Sequence, residues 1–305
     1  ADPYGHLLVV TGWVPQGATE PGLLMAADAQ PDGTIGRRRF WQGSFLFTPD
    51  TRDVGAGFKG WRPVYAEKGG AVVARDNAYL QETRNFPPYS EDQYAGSASD
   101  FYDRMEALMN PRPLDPFARQ AALVEALHEV VKRRVQAVDN GEAFMRERAH
   151  RPIDMPDGAN IFLTAGPWED FSTPSRDLRL LISIHTVLDF ADSVRRNPAR
   201  FDLAAAEAEG VVAQVAAARD VALGERTVQY TNSAGQPVTL TLAQVVARRH
   251  ALEMAYNPND CAEIRWGAVA GTDEYASCQR HAPQAHRDRM AEYRSWFAER
   301  RRPAR

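Results

Sequence analysis

Long hydrophobic runs are missing from this chain. Its longest apolar stretches, HLLVV and LLISI, are far too short to cross a bilayer, so no transmembrane helix is expected. Lysine is nearly missing too: Lys59, Lys68 and Lys132 are the only three among 36 basic residues, and the rest are arginine. Such a bias suits bidentate recognition of phosphate or carboxylate. It also suits a GC-rich genome, and we take the second reading because Ala, Pro and Gly abound as well. A net charge of −4 leaves no basic excess to neutralise phosphates, so no nucleic-acid partner is expected. The sequence has no GxSxG, Walker A, HExxH or CxxC, which leaves serine-hydrolase, P-loop and zincin chemistry without a motif. Internal repeats and low-complexity tracts are absent as well.

Cysteine is scarce but not absent. Cys261 and Cys278 are the only two, and they bracket CAEIRWGAVAGTDEYASC. Their spacing fits neither a zinc site nor a thioredoxin-like motif. One disulfide closing one loop is the expectation, and it implies an oxidising compartment, periplasmic or extracellular. The N-terminal ADPYG lacks an initiator Met and a basic leader, and reads as a processed end or a cloning remnant.

Composition shifts near residue 95. Before it, short apolar and aromatic runs (HLLVVTGWV, GLLMAADA, RRRFWQGSFLF, WRPVYAE, GAVVARD) are divided by PDG and EKGG turn signals, which predicts a β-rich part over 1–95. A Pro- and Ser-rich connector follows at 85–100. Helical periodicity dominates 96–305. Asp115-Pro116 opens a helix with a stripe of Phe117, Ala121, Val124, Leu127, Val131, Val135 and Val138, and Asn140-Gly141 is expected to interrupt it. Residues 151–172 read as an irregular loop. Thr173-Pro174 opens an apolar helix to Arg196, and Asp202 is expected to cap the next. Residues 226–240 read as a hairpin. Thr241 and Gln244 form a capping box for a helix to Tyr256, and a last helix starts near Pro283. The fold class is α+β: a β-rich N-terminal part, then a larger, mainly helical part with one hairpin and a disulfide-closed loop.

Four groups of residues carry candidate chemistry. On the 174–196 helix, His185, Asp189, Asp192 and Arg196 share one stripe. A His beside carboxylates is expected to have a raised pKa and to suit proton transfer, unless the stripe is simply the solvated face. Before that helix, Trp168, Glu169 and Asp170 pair an aromatic with acids, as a sugar site does; the structural alternative is dipole stabilisation and N-terminal packing. In the cysteine loop, Glu263, Arg265 and Trp266 form a recognition loop if exposed and a packing plug if Trp266 is buried. Glu125/His128 and Glu147/His150 repeat the Glu-x-x-His spacing of di-metal bundles, but core or surface histidines explain them as well.

These features lead to an exported bacterial cell-envelope binding or interaction protein, taking a small molecule, glycan or envelope protein. The alternative is a hydrolase of glycan or peptide, with His185, Asp189, Glu169 and Asp170 as acid–base groups, Trp168, Asp192, Trp266, Glu263 and Arg265 as binding groups, and 151–172 as a lid. A metal-binding helical protein is a third reading. No cofactor and no metal ligand set is assigned.

Overall fold

The computed structural model describes residues 8–17, 20–29, 35–39, 64–84, 96, 98–162 and 165–303. Residues 40–47 of the aromatic run RRRFWQGSFLF, most of the 85–100 connector and the N-terminal ADPYG lie outside them. The chain divides into two units, Ala1–Pro111 and Arg112–Arg305.

The first unit carries the expected strands. β1 (Val9–Val14), β2 (Leu23–Ala29) and β3 (Ile35–Arg39) form an antiparallel sheet in that order, with a bulge where the register slips between Val10 and Gly12. β4 (Val64–Ala66) and β5 (Val72–Ala74) form a hairpin closed by EKGG, where Gly70 takes a φ of 81°. α1 (Asn77–Thr83) is capped by the Asp76 carboxylate, which accepts from the Tyr79 N–H. α2 (Ala98–Met109) ends at Asn110, whose Oδ1 accepts from the Gly22 N–H at 2.7 Å. That contact needs glycine, because a Cβ at 22 would sit 2.1 Å from the Met109 carbonyl oxygen.

The second unit is built on three long helices that pack on one another: α3 (Pro116–Glu147), α5 (Pro174–Arg196) and α6 (Ala205–Glu225). Between α3 and α5 lies α4 (Pro167–Phe171). The Asp115 carboxylate caps α3 by accepting from the Phe117 and Ala118 N–H groups. α5 is the central element, burying Leu178, Leu180, Leu181, Ile184, Val187, Phe190 and Val194. Its second half packs with Phe201, Val212 and Val215. After α6 comes the expected hairpin, β6 (Thr227–Thr231) and β7 (Pro237–Thr241), with β6 laid against α3. Thr241 and Gln244 then make the expected capping box at the start of α7 (Leu242–Ala247). α8 (Arg249–Leu252), α9 (Ala262–Arg265) and α10 (Gln284–Ala298) complete the unit, and α10 buries His286, Met290, Tyr293 and Phe297 on one face.

Four local expectations fail for physical reasons. Asn140-Gly141 does not break α3, which runs unbroken through 32 residues. Tertiary packing overrides the helix penalty of about 1 kcal/mol for glycine. Gly141 is there for space: a Cβ would lie 2.8 Å from Arg265 Nη1 and 3.2 Å from the Phe171 carbonyl oxygen. Gly141→Ala is therefore expected to lower stability by about 1–3 kcal/mol although alanine is the better helix former. Denaturant midpoints check this, and a stabilised variant would mean that Arg265 simply moves aside. On the α3 stripe, Arg134 rather than Val135 faces the core, while Phe117 and Ala121 are exposed. Asp202 does not cap α6; it sits in the left-handed region at φ 56°, and Glu207 reaches back to the Ala204 N–H instead. The helix from Thr241 stops at Ala247 and, after Arg248, again at Leu252, because Ala255–Asp260 turns into the core. There the Asn257 side-chain oxygen accepts from the Asn259 N–H at 3.0 Å.

Residues 151–172 are not a loose lid. Asn259 brackets Ile153, accepting from its N–H and donating to its carbonyl oxygen. The Gly158 N–H donates to Tyr293 Oη at 2.7 Å, and Ile153, Met155, Ile161 and Trp168 are buried. The segment lines the core.

Candidate functional site

The 166–171 group sits on α4, which packs against α3, and the His185 stripe lies along α5. Trp168 is buried and its indole N–H donates to the Ile161 carbonyl oxygen at 3.1 Å. Glu169 and Asp170 are exposed on α4, before the N-terminus of α5. His185 lies eleven residues beyond Pro174, roughly 16 Å along the axis at the helical rise. Its imidazole is half-buried, and its pKa is lowered rather than raised. Burial is the first cause and Arg300 the second, and together they outweigh the opposing pull of Asp189. Asp189 is exposed, and Asp192 is engaged by Arg195, which also binds Glu209 at 2.7 Å.

Neither Glu-x-x-His pair has the setting of a di-metal site. His128 Nε2 meets the Thr227 carbonyl oxygen at 3.0 Å, and Glu125 pairs with Arg226. His150 Nδ1 accepts from Arg280.

The cysteine loop is closed by the Cys261–Cys278 disulfide, with no free cysteine. Within it Trp266 is 1 % exposed, so the loop is a plug rather than an open recognition surface. Trp266 stacks on Tyr230, and the Arg134 guanidinium lies 4.7 Å from its ring centroid. Glu263 is fully buried, accepting from the Ser233 N–H and Oγ and from Ser277 Oγ. Arg265 is buried as well and donates to the Phe171 carbonyl oxygen and Thr173 Oγ1. Burial, with Arg134 next, pushes its pKa down to about 10, so it remains a cation at neutral pH.

Comparison with known proteins adds no lead here. No protein-family model, curated protein or solved structure matches this chain.

The densest chemistry is a set of residues that the sequence reading passed over. Arg134 and Asp177 form a bidentate pair at 2.7 and 2.9 Å in which both side chains are essentially inaccessible. Thr173 Oγ1 donates to the same carboxylate at 3.1 Å. Glu142 holds Arg280 through two contacts, and Arg280 also donates to the carbonyl oxygens of Asn259 and Asp260. The Asp260 carboxylate accepts from the Ala282 N–H, and burial raises its pKa. One signal was readable: Arg134 falls three residues after Val131 and four before Val138, on the core face of α3.

At the edge of this network the amides of Asn257 and Asn259 face His286 Nδ1 at 3.5 and 3.3 Å, which makes that nitrogen an acceptor. Burial, then Arg289, lowers the His286 pKa against the pull of Asp154. Below the unfolded histidine value of about 6.5 the unfolded chain therefore binds more protons than the folded one. Stability is expected to fall as pH drops from there through the folded value. His185, lowered too, acts with the same sign. Unfolding free energies at pH 7 and pH 5 check this: the loss should shrink, but not vanish, in His286→Gln.

Proposed function

We propose that this chain is an exported binding or interaction protein of the cell envelope, not a hydrolase. The observation that supports the reading is the scatter of the candidate acid–base groups. Glu169 and Asp170 are exposed on α4 before α5, whereas His185 is half-buried and Asp189 exposed in the second half of α5; of the binding candidates, Asp192 is tied to Arg195 and Glu263 is walled inside the plug. General acid and base groups must reach the same substrate, directly or through one water. The disulfide supports the export half of the reading.

Two experiments test the two halves separately. Thiol alkylation of intact source cells, before lysis, should leave both cysteines unlabelled; labelling of both overturns export. Cosedimentation with purified peptidoglycan sacculi and with envelope vesicles should retain the chain without releasing soluble fragments. Release of fragments that is lost in His185→Ala would replace binding with hydrolysis.

A further inference from the structure

We infer that the cysteine loop, once its disulfide is reduced, is a binding site for a thiophilic divalent metal, zinc by ligand class, with Cys261, Cys278 and Glu263 as ligands.

One ligand atom from each of these residues lies within 4.8 Å of the others. Cys261 and Glu263 are buried and Cys278 is partly open. Two further observations point the same way. The first is the charge state of the surroundings. Among the described residues the buried carboxylates of Asp177, Glu142 and Glu253 each face a guanidinium, from Arg134, Arg280 and Arg294, while that of Asp260 accepts from the Ala282 N–H. Glu263, fully buried beside the sulfurs, is held only by neutral donors, Ser233 and Ser277. A buried carboxylate is ordinarily compensated by a cation or a metal. A dication there would supply the missing charge, and the two serines would orient the ligating carboxylate from behind.

The second is reach. Two thiolates on a tetrahedral zinc, with bonds of about 2.3 Å, lie about 3.8 Å apart. The Cα atoms of Cys261 and Cys278 are 5.6 Å apart. Rotation about the Cα–Cβ bonds opens the sulfurs to that separation without moving the backbone. The fourth position is left for water or a ligand, as in open zinc sites.

Disulfide and metal exclude each other, because a sulfur bonded to sulfur has no thiolate to give. Reduction by a phosphine and water yields two thiols and a phosphine oxide. Metal binding then releases the two thiol protons. Where the pair is oxidised, as the export reading requires, the site stays closed; it opens only when a reductant splits the disulfide.

The test uses the full chain, reduced with a phosphine under argon, and cobalt(II) as a coloured stand-in for zinc. One equivalent should produce a sulfur-to-cobalt charge-transfer band, zinc should bleach it, and the unreduced chain should produce none. Glu263→Gln should weaken cobalt binding at least tenfold. Equal affinity in Glu263→Gln overturns the inference, because two thiols alone would then account for binding. So does a missing band. Near-ultraviolet circular dichroism follows the fold alongside, and a reduced chain that is unfolded and stays unfolded with metal added also overturns it.

Discussion

Asp177→Asn should be the most damaging single substitution in the helical unit. It leaves the volume of the side chain unchanged but takes away the carboxylate that meets Arg134 in a bidentate pair. Arg134 and Arg265 are then two inaccessible cations in one core. Arg134 already disfavours the charge on Arg265: it is the second cause, after burial, of the depressed Arg265 pKa. Removing one partner of a buried pair costs about 3–5 kcal/mol, because the partner left behind stays desolvated. Thr173 then competes with Arg134 for the single acceptor oxygen that asparagine keeps. Guanidinium or urea denaturation of wild type and variant reads this directly. A loss under about 1 kcal/mol, within the range of exposed ion pairs, would mean that water reaches the pair. Replacing both partners together, Arg134→Met with Asp177→Leu, should recover much of the loss, since an apolar pair of similar volume is often neutral or better.

The second large effect is the disulfide. Cys261 and Cys278 close a loop with a sequence separation of 17. In the chain-entropy account a loop of that size contributes about 3 kcal/mol. Cys261→Ser with Cys278→Ser should show a loss of that order. Thiol titration of the denatured, unreduced chain should find no free thiol; two titratable thiols would remove this prediction and the export reading together. The measured loss has a second meaning here, because the plug carries Glu263, Arg265 and Trp266 into the core. A loss well beyond the entropic value would show that the plug detaches when its tie is cut.

What was legible in the sequence follows from how far apart the causes lie. The disulfide needed only a count of two. The hairpin, the Thr241–Gln244 capping box and the Asp115 cap are set by neighbours in the chain, and the buried face of α10 by its own periodicity. The Arg134–Asp177 pair spans 43 positions and the Arg265–Thr173 contact 92, so no local pattern announces them. The sign of the His185 pKa was misread for the same reason. Asp189 stands one turn away on the same helix, whereas Arg300 arrives after α10. Gly141 was read as a helix breaker because glycine has two uses, and only the approach of Arg265 distinguishes them.

The reach of the buried network bears on how this unit acquires its fold. Glu142 meets Arg280 across 138 positions, and Arg134 meets the Ala255 carbonyl oxygen across 121. Such closures carry a large entropic cost before any contact offsets it, and they slow folding. During synthesis α3 emerges with Arg134 and Glu142 already in place, but Arg280, partner of Glu142, comes 138 positions later. Until then the N-terminal half of the unit exposes charged groups designed for burial. Its assembly therefore waits for Arg280, and chains cut short before that residue lack a partner for Glu142.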